Sequence, residues 1–179
     1  MTGPGQVQHV IVMGVSGVGK TTVAKGISTF TGWTFAEGDA FHSEANVEKM
    51  RSGHPLTDED RWPWLRSIGS WMSDEIAHGR SGVVTCSALR RAYRDLLRED
   101  RPEVRFCHLS AAEDLIADRM SRRTSHYMPV SLLHSQLETL EPLEPDEPGV
   151  VVSVEGTGAA VLARALGALG LATPEGRNG

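Results

Sequence analysis

Gly14-Val15-Ser16-Gly17-Val18-Gly19-Lys20-Thr21 satisfies G-x-x-x-x-G-K-[ST] at every fixed position. Glycines at these spacings let the backbone curl until successive N–H groups face one anion. A helix starting at the end of the loop adds unpaired N–H groups and its positive dipole end. Lys20 is then able to reach the outer phosphates of a nucleoside triphosphate, and the Thr21 hydroxyl to hold Mg2+. The nucleotide is expected on Gly14, Val15, Ser16, Gly17, Val18, Gly19, Lys20, Thr21 and Thr22. A glycine-rich turn without a ligand would have to account for all eight motif positions and both flanks.

The flanks are the ones the motif requires. His9-Val10-Ile11-Val12-Met13 is short, apolar and β-branched, and predicts a buried strand. Val23, Ile27 and Phe30 lie on one face of a predicted helix that Gly32 stops. Further strands are predicted around Thr34–Phe35, Gly82–Ser87, Val104–Leu109 and Val150–Val154. Between them run helical patterns. Thr57-Asp58-Glu59-Asp60 resembles a capping box, and Trp64, Leu65, Ile68, Trp71, Met72 and Ile76 form a stripe behind it. A helix through Ala88–Arg98 has Leu89, Tyr93, Leu96 and Leu97 inward and its arginines outward. Ser110 is placed to cap a helix carrying Leu115, Ile116 and Met120, and Leu132, Leu133, Gln136, Leu137 and Leu140 mark another. The last helix spans about Gly158 to Leu171. Strands alternating with helices predict an α/β fold whose parallel sheet is covered on both faces.

Residues 1–179 read as one domain, with tails at about 1–6 and 172–179 and no signal peptide. The apolar fraction of 40% is that of an ordinary globular chain, and no apolar run is long enough to span a membrane. A net charge of −5 argues against a nucleic-acid binder. Cys86 and Cys107 lie in apolar runs without paired spacing, which predicts reduced core thiols and a cytoplasmic setting. Ten of the 18 basic residues are arginines between Arg80 and Arg123, a concentration that suggests an anion-handling wall.

Two absences narrow the use of the phosphate site. No N-K-x-D or T-K-x-D guanine-reading sequence is present, and no later strand ends in Asp. Asp39, taken as the end of the second strand, is the one carboxylate expected to face the phosphate loop. That suits a small kinase, in which one carboxylate orients or deprotonates an acceptor hydroxyl. A kinase must also keep water from the phosphoryl group, and Arg119 to Met128, with three arginines and a following proline, has the makings of a cationic lid.

Several blocks carry a resemblance. Gly38-Asp39-Ala40-Phe41-His42, Asn46-Val47-Glu48-Lys49-Met50, Asp60-Arg61-Trp62-Pro63-Trp64-Leu65, Cys86-Ser87-Ala88-Leu89-Arg90-Arg91-Ala92-Tyr93-Arg94-Asp95 and Ser135-Gln136-Leu137-Glu138-Thr139-Leu140-Glu141 resemble the short, bacterial-type gluconokinases of the P-loop NTPase class. The likeness covers about residues 9 to 155 in order. It implies a three-layer fold with a five-stranded parallel sheet of order 2-3-1-4-5, helices on both faces and a mobile lid at about 121–137. It also implies ATP- and Mg2+-dependent phosphorylation of D-gluconate at the 6-hydroxyl by direct in-line transfer, commonly by a homodimer. Carried over residue by residue, Lys20, Asp39, Arg119 and Arg123 are catalytic and Thr21 holds the metal. Asp39, His42, Lys49, Arg61 and Arg94 hold the acceptor. Bland readings stay open for these cations: Lys49 and Arg61 as surface charges beside Glu48 or Asp60, Arg94 as a partner of Asp95 or Glu99. His126 and Gln136 fall in the matching lid blocks, and Arg122 stands beside the lid arginines, without assigned roles. The rivals are a small kinase for another acceptor and a P-loop regulatory module that binds nucleotide and signals to a partner.

Overall fold

A computed structural model describes residues 6–121 and 131–171. The predicted sheet is present: β2 (Thr34–Ala36), β3 (Gly82–Thr85), β1 (His9–Met13), β4 (Val104–Ser110) and β5 (Gly149–Ser153) lie side by side in that order. All four pairings are parallel, with Val12 opposite both Thr85 and Cys107. Alternation along the strands divides the core in two. Val10, Val12, Val83, Cys107 and Leu109 face one layer, while Ile11, Met13, Val84, Val104 and Phe106 face the other.

The first layer packs under α1 (Lys20–Thr31) and α7 (Gly158–Ala168), with Ile116 of α5 (Glu113–Ser121) and Leu133 of α6 (Ser131–Thr139) joining it. The second layer packs under α3 (Asp58–Ala77) and α4 (Arg91–Arg98). The helix α2 (Glu44–Arg51) precedes α3. The expected capping box is formed: the Thr57 hydroxyl accepts from the Asp60 amide, and the Asp60 carboxylate accepts from the Thr57 amide. Both cysteines are buried free thiols, and burial pushes each up to about 12, so neither is a nucleophile at neutral pH. Among the described residues no helix is long and apolar enough to cross a membrane. The tail segments 1–5 and 172–179, and most of the predicted lid (122–130), lie outside the described residues.

Two element boundaries differ from the pattern reading. Ser110 is the last residue of β4, and α5 begins only at Glu113. The helix α4 begins at Arg91, because Ala88 takes a positive φ of 46° and turns the chain before the helix starts. Leu89 still reaches the core from the preceding turn.

The larger correction is Arg94. It is fully buried, where the helical pattern had left the arginines outside. Nε and Nη2 donate to the two oxygens of Glu147 at 2.6 and 3.0 Å, Nη1 donates to the Ala88 carbonyl at 2.9 Å, and Nη2 also reaches the Pro142 carbonyl at 3.3 Å. The guanidinium is therefore spent on pinning the acidic 141–148 connection and the Ala88 turn against α4. Removing one partner of such a desolvated pair strands the other charge, at a cost of about 3–5 kcal/mol. Arg94→Met and Glu147→Gln should each lower the unfolding free energy by that order in denaturant titrations, and the double variant Arg94→Met/Glu147→Met should recover part of it. Nucleotide affinity of the folded protein should stay at the wild-type level; single losses below ~1 kcal/mol would show that the pair is not desolvated.

Candidate active site

The loop between β1 and α1 has no side chain capping the helix. Gly19 occupies the N-cap in the left-handed region (φ 101°), makes no side-chain cap, and the first turn holds no acidic residue. The free helix end thus presents its N–H groups and positive partial charge to whatever enters the cleft. Gly14 is required by a close approach: a Cβ there would stand 2.8 Å from the Leu109 carbonyl oxygen. Val15 and Val18 put their side chains in the core and contribute backbone only. Lys20 lies along the loop, donating to the carbonyls of Gly14 at 2.9 Å and Val15 at 3.1 Å.

The end of β2 supplies two carboxylates. Glu37 comes first, one residue beyond the strand, and Asp39 lies in a 3-10 turn over Gly38–Phe41 rather than at the strand end. The Thr21 hydroxyl donates to Glu37 at 2.8 Å, and the Thr85 hydroxyl donates to the other Glu37 oxygen. Thr85 in turn accepts from the Gly38 amide at 3.0 Å. Gly38 has to be glycine, since a Cβ would lie 1.8 Å from the Thr85 carbonyl oxygen. Trp64 Nε1, on α3, donates to the Gly38 carbonyl at 2.8 Å and holds the turn from its other side. Glu37 was missed in the sequence because the strand was extended to Asp39, three residues too far. The rule that ligands sit beyond the carboxyl ends of strands would have found it. Thr21 and Glu37 are hard oxygen donors of the kind Mg2+ takes. Among the described residues no group of three or more His, Cys, Asp or Glu could hold a metal ion by itself. The donor set therefore fits a cation that takes its remaining ligands from phosphate oxygens and water.

One cleft brings these groups together with the acceptor candidates. Ser16, Gly17, Gly19, Lys20, Thr21, Thr22 and Glu37 line one part, and Asp39, His42, Met50, Leu56, Arg61 and Trp64 line another. Ser135, Gln136 and Thr139 of α6 close a third side, and Ser87 and Leu89 lie between β3 and α4. His42 stacks on Trp64 with ring centroids 4.0 Å apart, and its Nε2 is 3.9 Å from Asp39. Burial lowers its pKa to about 4; Asp39 opposes the shift and Arg61 reinforces it. At neutral pH His42 is thus an uncharged imidazole. Arg61 donates to the Tyr93 hydroxyl at 3.1 Å, lies over the Tyr93 ring and stands 3.9 Å from Asp58, which leaves it oriented at the cleft wall.

The other predicted cations are placed elsewhere. Lys49 does not line the cleft; it donates to Asp60 at 2.7 Å and joins α2 to the capping box of α3. The hydrogen bond from Lys49 holds the Asp60 carboxyl down at about 2. Arg94 is the buried partner of Glu147 described above. Arg119 donates to the Val154 carbonyl at 2.9 Å, at the turn before α7, and does not line the cleft. Arg122, Arg123 and His126 lie outside the described residues.

A family model described as an AAA domain matches residues 10–143. The chain is 53% identical to a gluconokinase of Gluconobacter oxydans over 148 residues, 83% of each chain. It is 41% identical to the thermosensitive gluconokinase of Escherichia coli, over 80% of this chain and 77% of the relative. Among solved structures, a gluconokinase from Sinorhizobium meliloti superposes with a TM-score of 0.83 at 45% identity, over 91% of both chains. An unliganded sugar kinase from Janibacter does so with a TM-score of 0.88 at 54% identity, over 93% of this chain and 96% of the other.

The low pKa of His42 has a measurable consequence. The unfolded chain binds a proton on this histidine near pH 6.5, whereas the folded chain resists it down to about 4. Stability contributed at this site is therefore full above about pH 6.5 and falls as the pH drops through that window. An NMR titration of the His42 ring should show its midpoint near 4, and His42→Gln should flatten the acid limb of the stability curve. A midpoint near 6.5 would mean that the imidazole is solvated and available as a cation.

Proposed function

The chain belongs to the gluconokinase family, and we propose that it transfers the γ-phosphoryl group of ATP to the 6-hydroxyl of D-gluconate, yielding 6-phospho-D-gluconate and ADP. The observation that carries this reading is the single cleft in which the phosphate loop meets Asp39, His42 and Arg61. Loop amides and Lys20 take the phosphates, and Thr22 completes the helix end. Thr21 and Glu37 would hold Mg2+, which when bound neutralises charge on the phosphate oxygens.

In the transfer, the acceptor oxygen forms a bond to the γ-phosphorus as the bond to the β–γ bridging oxygen breaks in line with it. Asp39 orients the attacking hydroxyl and takes its proton. Arg61 meets the gluconate carboxylate, a pairing suited to a planar guanidinium. His42, neutral, exchanges hydrogen bonds with hydroxyls. Positioning of this kind supplies most of the rate in phosphoryl transfer. Lys49 belongs to the acceptor site only through the α2–α3 frame it holds, and Arg94 only through the Ala88 turn. Arg123, with Arg119 at the base of the same segment, supplies the cationic cover that excludes water over the transferring group. A homodimer and a cytoplasmic setting complete the proposal.

The decisive assay is ADP release from Mg-ATP with D-gluconate, other aldonates, shikimate, nucleoside monophosphates or no acceptor. Turnover is expected with D-gluconate. Turnover confined to a different acceptor would overturn the substrate, and acceptor-independent behaviour of a protein that binds ATP would favour a regulatory module. Asp39→Ala should lower kcat roughly a hundredfold or more while ATP affinity stays within a few-fold. Wild-type turnover in that variant would remove Asp39 from the mechanism.

A further inference from the structure

A side chain of this chain already sits on the phosphate loop. Gln136 Oε1 accepts from the Ser16 amide at 2.6 Å, across 120 residues of sequence. Ser16 is buried, and both residues line the cleft. The amide belongs to a loop whose N–H groups converge on an anion site, yet its acceptor here is a neutral carboxamide oxygen. Gln136 is delivered to that point by an anchored helix. Leu133 is in the core, and Leu137 and Leu140 pack against it. Just beyond α6, the Glu141 amide donates to the Leu89 carbonyl at 2.7 Å, and the Glu141 carboxylate accepts from the Arg91 amide at 2.7 Å, capping α4. The root of α6 is thus tied to α4, one turn away from the glutamine.

We propose that Gln136 is a nucleotide-site residue that acts as a stand-in for a phosphate oxygen: its carboxamide holds the Ser16 amide in the nucleotide-free enzyme and is displaced when phosphate enters. One N–H cannot serve two acceptors at 2.6 Å, so the phosphate oxygen and Gln136 compete. The charged oxygen wins, because charge-assisted hydrogen bonds are about twice as strong as neutral ones. Displacing one neutral hydrogen bond costs about a two- to tenfold factor in affinity. The same event frees a carboxamide on the helix that carries Ser135 and Thr139 along the cleft, so that loading of the loop is communicated to α6. The inference rests on the nucleotide half of the proposed function and is independent of the acceptor.

The test uses the full chain without acceptor. Binding of Mg-ADP and of inorganic pyrophosphate is measured by calorimetry for wild type, Gln136→Leu, Gln136→Asn and Gln136→Glu, with thermal melts confirming that each folds. Gln136→Leu cannot accept, and Gln136→Asn is one methylene too short; both should bind two- to tenfold more tightly. Their Ser16 amide NMR signals should differ from wild type in the free protein and converge on it once ADP saturates the site. Gln136→Glu should bind tenfold or more weakly at pH 8 and approach wild type, measured at the same pH, as its carboxyl is protonated. Unchanged affinity in all three variants would overturn the inference. So would weaker binding by the Leu and Asn variants, which would make Gln136 a ligand of the nucleotide. Failure of wild type to bind either probe would overturn the nucleotide reading of the loop itself. Normal probe binding without turnover on D-gluconate would remove only the acceptor assignment.

Discussion

The site depends on the Glu37 carboxylate being held between two threonines. Thr21 brings the first turn of α1 to one of its oxygens and Thr85 brings the end of β3 to the other. The carboxylate lies beside the uncapped, positive end of α1. Thr85 closes the arrangement by accepting from the Gly38 amide, at a contact so close that no side chain fits. Phosphate loop, second strand and third strand are locked through this one group. The position of Asp39 follows from it, because Gly38 is clamped between Thr85 on one side and Trp64 on the other. Two carboxylates two residues apart therefore take different stations: Glu37 against the Thr21 hydroxyl and Asp39 beside His42.

The arginines follow a different logic from the one their number suggests. Arg91 forms ion pairs with Asp95, Glu144 and Asp146 on the surface, and Arg94 is buried on Glu147. Arg98 donates to the Val104 carbonyl, and Arg101 to the carbonyls of Leu96 and Leu97. Arg119 does the same for Val154. Five donors in a fixed fork satisfy helix-end and turn carbonyls as readily as they bind anions. In a chain with 23 acidic residues and only three lysines, arginine carries much of the structural pairing. Among the described residues, Arg61 is the arginine that lines the cleft.

This explains which features were legible in the sequence. The strands and the phosphate loop follow from periodicity and from a motif whose members are adjacent in the chain, and the strand order from the family resemblance. The capping box at Thr57 is local and was readable. The partner of Arg94 is 53 residues away, in a segment whose prolines and acids read as a solvated connection. Helical periodicity cannot register a charge that enters the core because a distant carboxylate meets it there. Glu37 was lost to an error of three residues at a strand end, the least certain feature of any pattern reading. Gln136 was visible as a member of a helical stripe and of a matching block but without a role, since the amide it meets lies 120 residues earlier.

In the proposed reaction, the neutral state of His42 bears on turnover as well as recognition. For the proposed acceptor, a monoanion rich in hydroxyls, the cleft needs one cation for the carboxylate and uncharged donors and acceptors for the rest. Arg61 supplies the cation, and burial beside Trp64 keeps His42 uncharged, with Arg61 itself contributing to that shift. Phosphorylation adds further negative charge to the acceptor close to Asp39. An imidazolium at His42 would offset that repulsion and retain the product; a neutral imidazole does not. In the proposed reaction, a neutral His42 withholds from the phosphorylated product an attraction that an imidazolium would give it.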